Sequence, residues 1–285
     1  MFQGFRDEMV ELPEARLRVR YGGSGPPVLL LHGHPRTHAT WHRVAPILAP
    51  HHTVVCPDLR GFGRSTVPED ASDHRGSSKR AKARDCVCLM AKLGFQRFAV
   101  VGHDRGSYTA FRAAMDHPAA VSHLAILDGV PILEALERCD ARFASAWWHW
   151  FFFAQPGKPE RAINADPEAW YGASAEQMGE EAYAEYRDAI HDPRVVHGMI
   201  EDYRAGLSID HHHDAEDRAA ARRIACPVLV LWSLRDDLQD LYGDVLEVWR
   251  PWTAGGLSGK GLDCGHHMAE EIPDQLAAEI LAFLR

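Results

Sequence analysis

Short, continuous apolar runs alternate along this chain with stretches of helical spacing. Each run is followed by Gly, Pro or Asp, a pattern typical of strands that are buried on both faces. The alternation predicts a parallel β-sheet with helices on both faces. The predicted strands are Val28–Leu31, Thr53–Cys56, Phe98–Val101, the segment VSHLAILDG and Val228–Trp232, and the predicted helices are Ser78–Leu93, residues 106–117 and Gln275–Leu284.

The alternating pattern is interrupted after Pro131. The following segment is rich in Ala, Trp, Phe, Tyr and His and has no strand pattern, which returns only with CPVLVLWSLRDD. We therefore predict an α/β core formed by residues 1–131 and 216–285. Residues 132–215 are predicted to form a helical cap inserted into that core.

The composition narrows the class of protein. The chain has 285 residues, of which 46% are hydrophobic, so it can bury a sizeable core, and its net charge of -9 argues against nucleic acid as a partner. No apolar run is long enough for a transmembrane helix, and the N-terminal MFQGFRDEMV lacks the pattern of a signal peptide. The six cysteines are dispersed without a Cys-x-x-Cys pair and are expected to be reduced thiols. These features predict a cytoplasmic protein without a membrane partner.

The segment FAVVGHDRGSYTAF has an acidic residue where a predicted strand turns into a predicted helix. Gly102-His103-Asp104-Arg105-Gly106 fits the Gly-x-nucleophile-x-Gly elbow of α/β-hydrolases, whose turn is too tight for larger side chains at the glycine positions. Such an elbow presents its central residue at the carboxyl edge of the sheet. The N-terminus of the next helix adds positive potential that keeps a carboxylate ionised. The sequence therefore predicts an α/β-hydrolase fold with Asp104 as the nucleophile.

An aspartate in this position changes the chemistry that the elbow can perform. A serine needs a base to deprotonate it and typically attacks an acyl carbon. A carboxylate is already anionic near neutral pH and can displace a leaving group from saturated carbon, giving an alkyl-enzyme ester. Water activated by a histidine then hydrolyses that ester. This chemistry excludes an ordinary serine esterase or lipase and leaves carbon–halogen cleavage or epoxide opening.

Motifs along nearly the whole chain resemble those of the fluoroacetate (haloacetate) dehalogenases, a family in the α/β-hydrolase superfamily. The specific ones are the Asp-Arg pair of the elbow, the pair His149-Trp150, and Tyr203 in DYRAG. The motifs that carry the resemblance are LLHGHPRTHATWHRVAP and PDLRGFGRS, which epoxide hydrolases share, and VGHDRG, LAILD, WHWFFFAQP, EDYRAG and CGHHMAEEIPD.

The resemblance implies a role for several core residues. Asp104 would be the nucleophile, His266 the base that activates water, and Asp128 the acid that orients this histidine. Arg105 would hold the carboxylate of the substrate. The main-chain N–H groups of His34 and Arg105 would form the oxyanion hole.

The resemblance also implies that His149, Trp150 and Tyr203 point from the cap toward the departing halide. Fluoride is a poor leaving group and is strongly hydrated, so a dry site must replace water with several hydrogen-bond donors. Imidazole, indole and phenol groups are donors without a competing full charge. We therefore expect these three side chains to form a halide site.

Two positions depart from the family pattern. The family's elbow continues to a second arginine, and Tyr108 occupies that position here. Losing a charged contact to a carboxylate costs about 1.5–3 kcal/mol if nothing replaces it, although the Tyr108 hydroxyl could donate instead. His34 replaces the Phe of the family's HGFP motif, and its imidazole could touch the substrate. Both changes keep the reaction type and favour a larger or less strictly anionic haloacid.

Two assignments have rivals in the sequence. Asp236 and Asp237 of LWSLRDD follow the next core strand, where many α/β-hydrolases have their acid, but the dehalogenase pattern favours Asp128. His267 neighbours the candidate base, and the family motif favours His266 because it directly follows a glycine.

The segment DHHHD, Asp210–Asp214, resembles a metal site by composition. Consecutive histidines project in different directions on a helix or a strand, so we expect a solvated polar segment and no metal. The sequence has no nucleotide or flavin motif, and the expected chemistry needs no cofactor. The oligomeric state is left open, with a homodimer as one option.

The leading hypothesis is a cofactor-independent dehalogenase whose partners are a short halogenated carboxylic acid and water. The alternative enzyme is an epoxide hydrolase, which shares Asp104, His266 and a proton-donating cap tyrosine. Epoxide hydrolases typically lack an arginine after the nucleophile, since a neutral epoxide needs no carboxylate partner, and Arg105 therefore favours the dehalogenase. A noncatalytic binding relative would often have lost the nucleophile or the histidine, and this chain has both.

Overall fold

The computed structural model describes residues Met1–Arg285, whose strands all belong to one sheet. The eight strands are β1 Arg6–Glu11, β2 Arg16–Gly23, β3 Pro27–Leu31, β4 Thr53–Pro57, β5 Phe98–His103, β6 Val121–Leu127, β7 Val228–Ser233 and β8 Leu257–Leu262.

The sheet has the strand order β1-β2-β4-β3-β5-β6-β7-β8. The first two strands pair antiparallel, and β2 also pairs antiparallel with β4, whereas all pairs from β4 to β8 are parallel. All five predicted strands are present. This topology confirms the predicted α/β-hydrolase fold.

Three strands were not predicted, and all three lie toward the edges of the sheet. The segment RDEMVE of β1 is exposed at every position but one, and LSGKGL of β8 contains two glycines and is largely exposed. An edge strand buries too little surface to need a continuous apolar run, so its sequence carries a weak signal.

The helices cover both faces of the sheet. The three predicted helices are present with bounds that differ by one or two residues, as α2 Lys79–Lys92, α3 Arg105–Asp116 and α16 Pro273–Phe283. The helices are α1 Ala45–Leu48, α2 Lys79–Lys92, α3 Arg105–Asp116, α4 Ile132–Glu137, α5 Ala141–Ala146, α6 Trp148–Phe153, α7 Lys158–Ala165, α8 Pro167–Trp170, α9 Ala175–Met178, α10 Glu180–Ile190, α11 Pro193–Ala205, α12 His211–Ala219, α13 Leu238–Tyr242, α14 Val245–Trp249, α15 Met268–Glu271 and α16 Pro273–Phe283, with a π-helical turn Gly206–Asp210. None of them is both long and apolar enough to cross a bilayer.

Side chains of each inner strand point alternately into two hydrophobic clusters. On β3, Leu29 and Leu31 belong to the larger cluster of 52 buried residues, whereas Val28 and Leu30 belong to the second cluster of 22. Successive side chains of a strand face opposite sides of the sheet, which is why a strand buried on both faces is apolar throughout. The larger cluster continues into the helices between β6 and β7 and includes Trp150, so this segment packs on the core.

The chain between β6 and β7 contains only helices, from α4 to α12. Its last helix continues to Ala219, past the end of the predicted cap at residue 215. The division of the chain into a core and a cap of residues 132–215 stays a prediction.

The expectation that DHHHD is a solvated polar segment was wrong for three of its five residues, whereas His211 is half-buried and His212 is exposed. Asp210, His213 and Asp214 are buried where the π-helical turn passes into α12. The Asp214 carboxylate pairs with the guanidinium of Arg112 on α3, and Asp210 accepts a hydrogen bond from the backbone N–H of Lys79. The acidic side chains of this segment therefore hold helices together, a role that its composition does not reveal.

Candidate active site

The elbow predicted from the glycine pattern lies between β5 and α3. Asp104 has a φ of 49°, a strained value for a residue with a side chain. A Cβ on Gly106 would lie 2.4 Å from the carbonyl oxygen of Leu31, and a Cβ on Gly33 would lie 2.3 Å from Oδ1 of Asp104. Only glycine fits at both positions, so the backbone of the neighbouring strand can approach the carboxylate closely.

The Asp104 carboxylate is held by main-chain N–H groups. The N–H of His34 donates to Asp104 Oδ1 at 2.6 Å, and the N–H of Arg105 also contacts the carboxylate. Burial alone would raise the pKa of Asp104, but the charges of His266, His103 and Arg105 and the backbone N–H of Arg105 hold the pKa below its ordinary value. The carboxylate is therefore ionised near neutral pH, as a nucleophile must be.

A histidine stands beside the second oxygen of this carboxylate. His266 Nε2 lies 3.9 Å from Asp104 Oδ2, and on the other side of the ring Nδ1 lies 2.7 Å from Asp128 Oδ2. The same Nδ1 lies 3.0 Å from Asp236 Oδ2. The backbone N–H of Ser233 donates to Asp128 Oδ1 at 3.0 Å and fixes that carboxyl group. Asp128 and its rival Asp236 therefore contact the same nitrogen of His266.

These carboxylates change the titration of the histidine. Burial alone would lower the pKa of His266, but the hydrogen bonds to Asp128 and Asp236 and the charge of Asp104 raise it well above its ordinary value. The imidazole of the neighbouring His267 forms no ion pair with a carboxylate, and burial lowers its pKa well below the ordinary value. The structure therefore brings His266, and not His267, to the predicted nucleophile.

A cavity of about 280 Å³ opens beside the elbow. Four carboxylates reach its wall, together with aromatic side chains of the helices above the sheet. Its lining residues are Asp104, Tyr108, Asp128, Ala146, Trp147, His149, Trp150, Asp236, Asp237, Leu238 and His266.

The Arg105 guanidinium is buried next to this cavity and is largely engaged by the protein itself. Its Nε donates to the carboxylate of Asp202, its Nη2 donates to the Asp202 carbonyl at 2.8 Å, and its Nη1 has no hydrogen-bond partner. Three rings surround the guanidinium, which lies 4.1 Å from the ring centroid of Tyr203, 5.1 Å from that of Tyr108 and 5.2 Å from that of Trp150. Arg105 is not among the residues that line the cavity, and its Nη1 is the one donor group of the guanidinium without a protein partner.

Sequence reasoning did not find the charged cluster behind Arg105. Asp202 also accepts hydrogen bonds from the ammonium groups of Lys79, at 2.8 Å, and Lys82. Burial alone would raise the pKa of Asp202, but the three cations hold it well below its ordinary value. Two features of the sequence could have indicated this cluster. The two lysines are three residues apart and lie on one face of α2, and Asp202 directly precedes Tyr203 in the DYRAG motif.

The residues predicted to bind halide lie together in the structure. His149 and Trp150 on α6 have ring centroids 5.8 Å and 6.3 Å from that of Tyr203 on α11. Burial lowers the pKa of His149 to about 4, so its imidazole is neutral at physiological pH. His34 is in the same aromatic group, 5.1 Å from Tyr203, and neither of its ring nitrogens has a hydrogen-bond partner. The roles of these residues in binding and catalysis stay predictions.

The family of the chain follows from its similarity to known proteins. A model of the alpha/beta hydrolase fold family matches residues 26–271. The fluoroacetate dehalogenase of Burkholderia sp. is 42% identical over 100% of this chain and 95% of that protein. The soluble epoxide hydrolase of Corynebacterium sp. (strain C12) is 32% identical over 94% of this chain and 93% of that protein.

The crystal structure of an alpha/beta hydrolase from Nostoc sp. PCC 7120 superposes with a TM-score of 0.95 at 42% identity, covering 100% of this chain and 99% of that one. The chain therefore belongs to the α/β-hydrolase family and, within it, to the branch of the fluoroacetate dehalogenases.

Proposed function

We propose that this enzyme is a hydrolytic dehalogenase of short haloacids that works through an ester on Asp104. One observation carries the proposal. One oxygen of the Asp104 carboxylate accepts a hydrogen bond from the N–H of His34 at 2.6 Å, and the other lies 3.9 Å from Nε2 of His266. A carboxylate with one oxygen on backbone donors and the other facing a base fits attack on carbon followed by hydrolysis.

In the first step Asp104 Oδ2 attacks the carbon that carries the halogen. The new C–O bond forms as the C–X bond breaks, and the halide leaves with the electron pair of that bond. His149, Trp150 and Tyr203 would solvate the departing halide with N–H and O–H donors. The neutral state of His149 supports this role, because a neutral imidazole can donate one N–H without holding the product halide as an ion pair.

In the second step water hydrolyses the ester. Esterification removes the negative charge of Asp104, one of the charges that raise the pKa of His266, so the neutral imidazole becomes easier to form. Nε2 then takes a proton from water, and the resulting hydroxide adds to the carboxyl carbon of the ester. The N–H groups of His34 and Arg105 would stabilise the oxyanion. Collapse breaks the bond from that carbon to the substrate oxygen, which takes the proton from His266 and leaves as the hydroxy acid. Asp104, left as a carboxylic acid, then releases its proton to solvent and is again a carboxylate.

The cavity supports a carboxylic acid larger than the smallest haloacids. The proposed donors to the substrate carboxylate are the hydroxyl of Tyr108, which lines the cavity, and the Nη1 of Arg105, which has no protein partner and whose guanidinium lies 5.1 Å from the Tyr108 ring centroid. With Tyr108 where the family has an arginine, the acid would be held by one charged and one neutral donor. A volume of about 280 Å³ leaves room for a side chain on the carbon that bears the halogen.

A second candidate function is epoxide hydrolysis, and one observation favours it. The Arg105 guanidinium already has Asp202 as a counter-ion, and four carboxylates line the cavity, which makes the site less attractive to an anion than two free arginines would. A neutral epoxide would avoid this repulsion, with Tyr203 donating a proton to its oxygen. The same Asp104 and His266 would carry both reactions.

The first experiment compares the two chemistries directly. Halide release from fluoroacetate, chloroacetate and 2-chloropropionate is measured beside diol formation from styrene oxide, using the wild-type enzyme. We expect halide and the matching hydroxy acid, with little diol. A single turnover in water enriched in ¹⁸O should label Asp104 and leave the product unlabelled, because the product oxygen comes from the carboxylate. Diol formation without halide release would contradict the dehalogenase proposal.

Replacing Tyr108 by Phe tests the neutral donor. The variant loses one hydrogen bond to a charged carboxylate, so KM for chloroacetate should rise about tenfold or more with little change in kcat. Steady-state halide release measures both constants. The matched control is Tyr183→Phe, a half-buried tyrosine of α10 that stacks on Tyr186. An unchanged KM in the Tyr108 variant would mean that this hydroxyl does not contact the acid.

A further inference from the structure

One ring nitrogen of the proposed base is shared by two carboxylates. We propose that Asp236 is a second positioning residue of the enzyme, which acts together with Asp128 on Nδ1 of His266, so that either carboxylate can orient the imidazole and balance its charge. This inference rests on the proposed function, in which His266 activates water.

The geometry follows from two neighbouring parallel strands. Strands β6 and β7 pair with Leu127 beside Leu231, so the loops that follow them emerge at the same edge of the sheet. Asp128 comes directly after β6, and Asp236 belongs to the loop after β7. The carboxylate oxygens of the two acids and the nitrogen of His266 all lie within 4.8 Å of one another. The two positions that α/β-hydrolases use for the acid are thus both occupied here.

Besides His266, the Asp236 carboxylate contacts the side chain of Asp128 and the backbone N–H of Asp237. Its only ion pair is with His266, at 3.0 Å. The next residue provides a contrast, since Asp237 accepts hydrogen bonds from the indole N–H of Trp147 at 2.9 Å and 2.8 Å. The two adjacent acidic side chains therefore have different partners, His266 for Asp236 and Trp147 for Asp237.

The charged groups around the imidazole of His266 support a joint role of Asp128 and Asp236. Asp104 lies at 3.9 Å, and the rings of His103 and His267 lie 4.7 Å and 5.2 Å from that of His266. Two carboxylates this close do not both ionise freely. Burial raises the pKa of Asp128, whereas His266 holds the pKa of Asp236 below its ordinary value against the effect of burial. The two acids thus differ in environment, Asp128 being buried and Asp236 half-buried, and both contact the same nitrogen of His266.

The test compares Asp128→Asn, Asp236→Asn and the double variant. When a catalytic histidine has a single acid, losing that acid lowers kcat about 10⁴-fold. With two acids we expect each single variant to hydrolyse the ester within about 30-fold of the wild-type rate, and the double variant to be slower by about 10⁴-fold. Rapid-quench mass spectrometry of the alkyl-enzyme formed from chloroacetate measures this step separately from halide release. Asn is close to Asp in shape, and thermal unfolding of each variant checks that it folds.

A second measurement does not depend on turnover. The pKa of His266 in the free enzyme is followed by NMR of ¹⁵N-labelled histidine in the wild type and in each variant. We expect it to fall in both single variants and further in the double one, whereas the control Asp188→Asn, at an exposed carboxylate of α10, should leave it unchanged. If Asp236→Asn left the pKa and the ester hydrolysis rate at wild-type values, or if Asp128→Asn were as slow as the double variant, the proposal would be overturned. If the wild type released no halide at all, the proposed function would fail, and the NMR titration would still decide the role of Asp236.

Discussion

Asp104→Asn should abolish halide release, with a loss of at least about 10⁴-fold in kcat. An amide is neutral and has no anionic oxygen to attack carbon, while the backbone donors of His34 and Arg105 would still bind its carbonyl oxygen. The variant should therefore fold normally and bind haloacid without reacting. Incubation with chloroacetate followed by mass spectrometry should show no added mass on the variant, whereas the wild type should show the ester during turnover.

This experiment needs a fresh preparation, because slow deamidation would restore Asp104. The matched control is Asp188→Asn, which changes an exposed carboxylate of α10 and should keep wild-type activity. Substantial turnover by the Asp104 variant would mean that another group is the nucleophile. Wild-type biological activity in a variant without turnover would instead favour a binding protein.

Asp202→Asn should give the largest loss of stability, about 3–5 kcal/mol in the free energy of unfolding. The carboxylate is buried and is shared by Lys79, Lys82 and Arg105. Its removal leaves three buried cations with only Asp210, which Lys79 contacts at 3.5 Å, as a nearby counter-ion. In a chain of this size the melting temperature should fall by about 10 °C, which calorimetry or circular dichroism would measure.

The control again is Asp188→Asn. Its partner Arg64 lies at 3.5 Å, and the two side chains are 73% and 60% exposed, so the loss should stay below about 1 kcal/mol. The two variants should also differ in their pH dependence. Because the folded-state pKa of Asp202 is lowered, its stabilisation is complete above the unfolded pKa near 4 and disappears only as the pH falls through the much lower folded pKa. Equal melting temperatures for the two variants would contradict the importance of the buried cluster.

The sequence predicted the structure well where burial or a close backbone contact restricts which residues can occupy a position. Strands β3, β4, β5 and β7 are buried on both faces and are therefore apolar runs, and the elbow needs glycine at Gly102 and Gly106 because backbone atoms approach there. It was uninformative at β1 and β8, which are largely exposed. The nucleophile and its neighbours could be placed for the same reason, since the ends of parallel strands meet at one edge of the sheet.

The remaining parts of the site depend on contacts between distant segments. Lys82 and Asp202 are 120 residues apart in the sequence, and no local sequence pattern predicts that their side chains are in contact. The dehalogenase pattern favoured Asp128 over Asp236, and only the side-chain conformations show that both reach His266. The burial of Asp214 was missed because a composition rich in His and Asp does not show which face of a helix packs inward.

The Asp202 cluster also bears on how the molecule can move. Asp202 belongs to α11, whereas its three cations belong to α2 and α3. One buried carboxylate therefore ties α11 to both of these helices. Lifting α11 as a hinged lid would pull these charges apart in a medium of low dielectric constant, which is costly. Exchange of substrate and product is therefore expected to use side-chain motions around the cavity, with α11 remaining as rigid as α3 throughout turnover.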